Sequence, residues 1–358
     1  MQKETAPTMG HERRGLKAMG TIALGLVVVG GGCRSLDPAY EHGSGAKATI
    51  SPDRRGMAPA VSTAAAPGQA EVDRAQMFQS QGDYQRALAE FEKAIESNPT
   101  LTVAYMGAGD IYRQQGDYAN AESKYSTAAQ LEPANFSAQY LHGLTLHLLD
   151  RIGDAVRAYL RALTIRPEDF NANLNLATAY LQLNEPAQGL TYGERAVRID
   201  PKSAAARANL GAIYAALNRH DDAIVEFQQA AELTPLTGPL LLNLADSLAK
   251  AGRYEEAANT LAQLIRGEPT SAAFERLGSV TFRLRRYDEA LANFRRALDL
   301  DPNYYAALNG VGVCLLNQWV WSDQKDTGAK QEAIRALRKS LQIERDQPRI
   351  LELIARYQ

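Results

Sequence analysis

The chain has 358 residues, 45% of them hydrophobic and 22% charged, and 39 basic against 41 acidic side chains leave a net charge of −2. That balance lacks the basic footprint that nucleic-acid binding leaves. The two cysteines, Cys33 and Cys314, lie far apart in different contexts, which argues against an intrachain disulfide, and no Cys/His spacing suits a metal. The length would allow two domains, but a repeat array escapes that arithmetic.

In chain order, residues 1–33 read as an export segment. His11 to Lys17 is a charged stretch, and Ala18 to Val29 is an apolar run too short and Gly-interrupted for a good membrane-spanning helix. Gly30-Gly31-Gly32 then precedes Cys33. These small residues resemble a bacterial lipoprotein box, although Gly30 stands where that box usually has Leu. The resemblance implies lipidation of Cys33, which would become the mature N-terminus. Arg13-Arg14-Gly15-Leu16 also resembles a twin-arginine signal. An ordinary signal peptide, an uncleaved anchor, or a cytoplasmic chain are the other readings. Arg34 after the cysteine, by the same resemblance, favours the outer membrane facing the periplasm; an inner-membrane anchor or secretion is the alternative. Residues 34–69 are rich in Ala, Pro, Gly and Ser and lack helical periodicity, so they read as a disordered tether.

From about residue 68 a unit recurs. Pro99, Pro133, Pro167, Pro201, Pro235 and Pro269 are each 34 residues apart, and Pro302 follows after 33. Between the prolines the same residue kinds return: Leu210-Gly211, Tyr214, Asn218, Ala223, Phe227 and Ala230 in one copy, and Tyr105, Gly109, Tyr112, Gly116, Ala121, Tyr125 and Ala128 in another. This period and pattern resemble the tetratricopeptide repeat (TPR). The resemblance implies an all-α fold, a right-handed α-solenoid of about eight helix-turn-helix units. They span 68–101, 102–135, 136–169, 170–203, 204–237, 238–270, 271–304 and 305–347, with a capping helix at 348–358. Gly82, Gly116, Asp150, Asn184, Asn218 and Gly252 supply the turn between the helices, where positive φ is needed, and Arg285 breaks that series. Asp or another starter next should cap the second helix. Tyr214 and Phe227 should fill the space between successive pairs.

Two copies depart from the pattern. In the fourth, Gly189 and Gly193 replace the Ala and aromatic of the second helix, which predicts either a neighbour filling the gap or a hinge. In the eighth, Gly312 and Ala333 are 21 apart instead of 12, a nine-residue insertion carrying Trp319 and Trp321. That insertion either extends the first helix or forms an interaction loop.

The resemblance also implies where partners bind. The first helix of each TPR unit lines a concave groove, through positions two, five, six, nine, twelve and thirteen. Position six holds Asn175, Asn209 and Asn243, which resembles the asparagine ladder of the O-linked N-acetylglucosamine transferases, a device for gripping peptide backbone. Asn243, Arg276 and Arg283, which the same positions place in the groove near Asp246 and Glu275, resemble part of a carboxylate clamp, but Ala208 and Ala212 stand where that clamp needs Lys and Asn. Tyr140 and His147 belong to a more apolar groove patch in the third unit, with His142 nearby and no third ligand for a metal. Cys314 reads as a small core residue.

Nothing supports an enzyme: there is no Ser/His/Asp order, HExxH, P-loop or GxGxxG. The expectation is a scaffold without cofactors or small-molecule substrate, binding proteins or extended peptides and held to a membrane through its N-terminus. It would support a bacterial envelope assembly such as pilus, secretion, polysaccharide-export or outer-membrane biogenesis machinery. The alternatives are a regulatory subunit of an envelope enzyme, such as a glycosyltransferase or peptidoglycan hydrolase, and a cytoplasmic co-chaperone-like adaptor.

Overall fold

The computed structural model describes residues 67–235 and 237–357. Cys33, the export segment and most of the tether lie outside the described residues. Gln69, assigned to the tether's end from composition, instead opens the first helix.

Seventeen helices follow, and among the described residues there is no strand. α1 (Gln69–Ser80) pairs with α2 (Tyr84–Ser97), α3 (Thr102–Gln114) with α4 (Tyr118–Leu131), and α5 (Phe136–Leu148) with α6 (Ile152–Ile165). α7 (Phe170–Gln182) pairs with α8 (Pro186–Ile199), α9 (Ala204–Ala216) with α10 (His220–Leu233), and α11 (Gly238–Lys250) with α12 (Tyr254–Gly267). α13 (Ser271–Arg283) and α14 (Tyr287–Leu300), then α15 (Tyr305–Trp321) and α16 (Thr327–Ile343), complete the pairs. α17 (Pro348–Tyr357) closes the end, burying Ile350 and Ile354. Each pair packs on itself and on the next, the arrangement of a TPR solenoid.

One motif makes every turn within units one to seven. The amide of the third residue past the first helix reaches back five residues, as in Asp83 N to Phe78 O at 2.9 Å, Arg219 N to Tyr214 O at 2.9 Å and Arg286 N to Thr281 O at 2.9 Å. This Schellman pattern needs a left-handed residue before that amide. Arg285 adopts it too, at φ 62°, so the motif overrides the residue's own preference. The N-caps differ from expectation. Asp83 and Asp117 accept from Arg86 N and Asn120 N, but Arg151, Arg219, Arg253 and Arg286 take that place in four later units without a side-chain cap bond. A cation at a helix N-terminus opposes the helix dipole. Each of these arginines pairs instead with an acid three residues on, Asp154, Asp222, Glu256 or Glu289.

Inside a pair, the ring of the second helix lies flat against a glycine of the first. A Cβ at Gly109, Gly143, Gly211 or Gly278 would come within 2.8 Å of Tyr125, Tyr159, Phe227 or Phe294. Phe227 thus packs inside its own pair, and it belongs to the buried cluster that also holds Leu240 and Leu244 of the next pair. Tyr214 does bridge to the preceding unit, its hydroxyl donating to Glu194 Oε1 at 3.1 Å. Phe294 serves both roles, since Gly310 of the next unit also faces it.

In unit four the space left by Gly189 and Gly193 is filled from next door. Ile213 Cδ1 would lie 3.0 Å from a Cβ at Gly193, and Tyr180 Cβ lies 3.1 Å from one at Gly189. Tyr192 stacks on Tyr180, centroids 6.0 Å apart. In unit eight α15 and α16 each run 17 residues against 13 and 14 in unit seven. The insertion thus lengthens the hairpin by about one turn on each helix and widens its loop.

Candidate partner-binding groove

The first helices carry two polar clusters on their concave positions. In units two to four the cluster is closed on itself. Tyr125 and Tyr159 occupy the helix slot that holds Phe in units one, five and seven, and their hydroxyls pass Gly109 and Gly143 to reach the groove side. Tyr125 Oη donates to Asp110 Oδ1 at 2.6 Å and accepts from Arg113 Nε at 3.3 Å. Burial pushes the Tyr125 phenol and the Asp110 carboxyl up, the hydrogen bond between them partly offsetting the rise at Asp110. Neither Asp110 nor Arg113 was singled out from the sequence. The available signal was Tyr rather than Phe in that slot with an Asp in the ninth place of the same unit.

Tyr140 and His147 belong to the same cluster. Tyr140 stacks on Phe136 at 5.8 Å, accepts from Asn175 Nδ2 at 3.1 Å, and burial raises its phenol to about 12. His147 Nε2 lies 2.8 Å from Gln182 Oε1 and its Nδ1 lies 3.5 Å from Tyr159 Oη. Burial holds His147 below the usual imidazole range. His142 pairs instead with Glu122 at 3.1 Å and is likewise lowered by burial.

The asparagines therefore do not form a ladder of three open amides. Asn175 is bonded to Tyr140, and Asn209 Nδ2 donates to Thr178 Oγ1 at 2.7 Å while its Oδ1 is buried without a partner. Geometry explains the difference. The sixth residue of one first helix meets the ninth of the helix before it: Asn209 meets Thr178, and Arg276 meets Asp246. For Asn243 that ninth residue is Ala212, which has nothing to bond. The Asn243 carboxamide has no side-chain partner among the described residues.

Around Asn243 a cleft of about 740 Å³ opens across units five to seven. Its first-helix lining includes Ala212, Asn243, Asp246, Glu275 and Arg276, with Tyr304 at the far wall. Arg276 Nε donates to Asp246 Oδ1 at 2.7 Å and Oδ2 at 3.0 Å. Glu275 accepts from Ser279 Oγ at 2.9 Å, and burial raises its carboxyl against the opposing pull of that bond and of Arg276. Asn243, Asp246 and Arg276 thus share one site. Arg283, at the end of α13, is exposed and does not line the cleft, because it lies two helical turns beyond Arg276.

Trp319 and Trp321 part company. Trp319 is buried, its indole N–H donating to Gln324 O at 3.0 Å and its ring packed edge-on to Tyr357. It pins the longer hairpin to the capping helix, which fits the helix-extension reading. Trp321 is 63% exposed and meets Tyr287 edge-on at 4.6 Å. Cys314 is buried, and desolvation pushes its thiol up to about 12.

A second feature went unread in the sequence. Tyr105, Gln139, Asn173 and Arg207, each 34 residues from the next, all donate to the carbonyl of the proline six residues earlier, at 3.2, 3.4, 2.9 and 2.8 Å. Four unlike side chains tie each first helix to the preceding inter-unit turn, because any donor of that reach will serve.

Comparison with known proteins agrees with this architecture. No curated protein sequence matches. A TPR protein from Parabacteroides merdae is similar in structure at TM-score 0.48 and 18% identity, covering 69% of this chain and 98% of its own. Cut9, in the APC/C hetero-tetramer Cut9–Hcn1, matches at TM-score 0.51 and 18% identity over 80% of this chain and 55% of that one. YrrB, described as a TPR protein with an unusual peptide-binding site, matches at TM-score 0.44 and 22% identity over 55% and 98%. The family model for the tetratricopeptide repeat matches residues 72–135, 106–170, 174–236, 242–304 and 275–348, and with nearly all the helical array so covered, the chain belongs to the tetratricopeptide repeat family.

Proposed function

We propose that the chain is a non-catalytic scaffold that holds extended segments of partner proteins in its concave groove, with units five to seven as the seat. The observation that carries this is the open Asn243 carboxamide beside the Asp246–Arg276 pair in one cleft. A carboxamide offers a donor and an acceptor, so it can bond peptide backbone of any sequence. Asn175 and Asn209 contribute by fixing neighbouring first helices. A photo-reactive residue at position 243, in native cells, should cross-link the partner, while one at Val225 on the outer helix face should not. Cross-linking from Val225 alone would move the interface to the outer face.

On this reading the scaffold works at a bacterial membrane, held through Cys33 and a tether. The support is the order of charged stretch, apolar run, Gly30 to Gly32 and Cys33 in the sequence. Arg34 after the cysteine supports the outer membrane. Native protein should take up labelled palmitate and the Cys33→Ala variant should not; equal labelling, or none in either, removes the anchor.

A further inference from the structure

The end of the cleft nearest α15 is short of positive charge. Two carboxylates, Asp246 and Glu275, face it, but Arg276 directs both of its bonds there to Asp246. The hydrogen-bond partner of Glu275 is the neutral Ser279 hydroxyl. Glu275 is half-buried at the fifth place of α13, with the Tyr304 phenol close enough to sense its charge. The other ionisable groups on the cleft are Lys250, at the end of α11, and His220, opening α10. Those two interact with each other and stand apart from Glu275. A carboxylate withdrawn from water, bonded to a hydroxyl and near a cation, Arg276, whose hydrogen bonds go to Asp246, is under-compensated.

We propose that this end of the cleft receives a lysine or arginine side chain of the bound peptide, with Glu275 and Asp246 as its anionic partners. The inference rests on the groove reading above and adds the chemistry of the peptide. Asn243 stands one helix away to bond the backbone beside that residue, and Tyr304 and Tyr305 line the same cleft, offering rings to a cation. A charge-assisted bond to Glu275 is stronger than the neutral one it has now. An acidic peptide residue would meet two carboxylates and an arginine already engaged, so it is disfavoured. Binding also couples to protons. Burial favours the neutral form of Glu275, and an incoming cation favours the charged form. Affinity is therefore full above the raised pKa of Glu275 and falls as pH drops through it.

The test is a library of random dodecapeptides displayed on phage and selected against the full chain. Enriched peptides should share a Lys or Arg at one position. A synthetic copy with that residue changed to Gln should bind about tenfold more weakly, the effect of one such bond. Glu275→Gln should weaken the parent peptide by a similar factor and the Gln peptide hardly at all, while Glu275→Asp keeps part of the affinity. In the unaltered protein, NMR titration of Glu275 should show its pKa lowered by the parent peptide and unmoved by the Gln copy. Enriched peptides that lack a basic residue, or whose binding ignores Glu275→Gln, overturn the cation site and leave the groove reading standing. Enrichment of no peptide sensitive to Asn243→Ala removes both.

Discussion

Units two to four and units five to seven build the same concave wall and leave it in opposite states. In the first, Tyr125 and Tyr159 send hydroxyls past the helix glycines, and Asp110, Arg113, Asn175, His147 and Gln182 bond among themselves and with the tyrosines. In the second, Phe227 and Phe294 fill the slot without a hydroxyl, and Ala212 stands where unit two has Asp110. The polar groups of that half then face an open cleft. One helix slot and its ninth-place neighbour thus separate a wall that is self-satisfied from one with bonds to offer. The tyrosine cluster of the first half has its groove-side bonds made within the chain, whereas the Asn243 carboxamide of the second half is left to be met from outside.

The sharpest way to break this division is to remove one carboxylate from each half. Asp110→Ala strips the acceptor from a fully buried tyrosine hydroxyl, an omission that costs about 2 kcal/mol. Asp246→Ala removes half of an ion pair whose side chains are 21% and 40% exposed, and exposed pairs contribute about 1 kcal/mol or less. Urea unfolding should therefore show Asp110→Ala as clearly the more destabilised. Equal losses would mean that both halves are equally engaged.

A transplant tests the cause. Phe227→Tyr places a hydroxyl in unit five, where Ala212 stands in the place of the acceptor that Tyr125 has in Asp110, and should destabilise by about 1–2 kcal/mol. Adding Ala212→Asp supplies the acceptor and should recover most of that loss. The introduced carboxylate would also stand in the ninth place before Asn243 and bind its amide, so the double variant should hold groove peptides less tightly. Recovery of stability without loss of binding would separate the two effects and place peptide capture elsewhere.

The same comparison shows what the sequence could convey. The array was legible because its turns and prolines each demand particular residues at fixed spacing: the left-handed position, the glycine under the ring, the proline ending the second helix. Even Arg285 follows, since the motif's bonds outweigh its preference. The groove was legible only as a set of positions. Those positions say which side chains face inward and not whether their bonds are already made. Asn175, Asn209 and Asn243 look alike in one row, and their difference lies in Tyr140, Thr178 and Ala212, residues about a unit away. Arg283 falls outside the cleft because a positional rule follows the whole helix, while the cleft's α13 lining ends at Ser279 and Val280.

The smallest effect distinguishes the halves by their histidines. His147 has both ring nitrogens near partners, whereas His220, on the open cleft, has a buried Nδ1 with none. Burial is the leading cause that lowers each below the ordinary value of 6.5. A folded pKa below the unfolded one means that the unfolded chain binds protons first. The stability held above 6.5 is then lost as pH falls toward the folded value. His147 is the more enclosed by partners, and its protonated ring would turn the Tyr159 hydroxyl from donor to acceptor, with loss of that hydroxyl's present bond. His220 can turn a proton toward the cleft. His147→Gln should therefore flatten the fall in melting temperature between pH 7 and 5 more than His220→Gln does. A larger flattening from His220→Gln would place the strained imidazole in the open half, contrary to the contrast between closed and open walls.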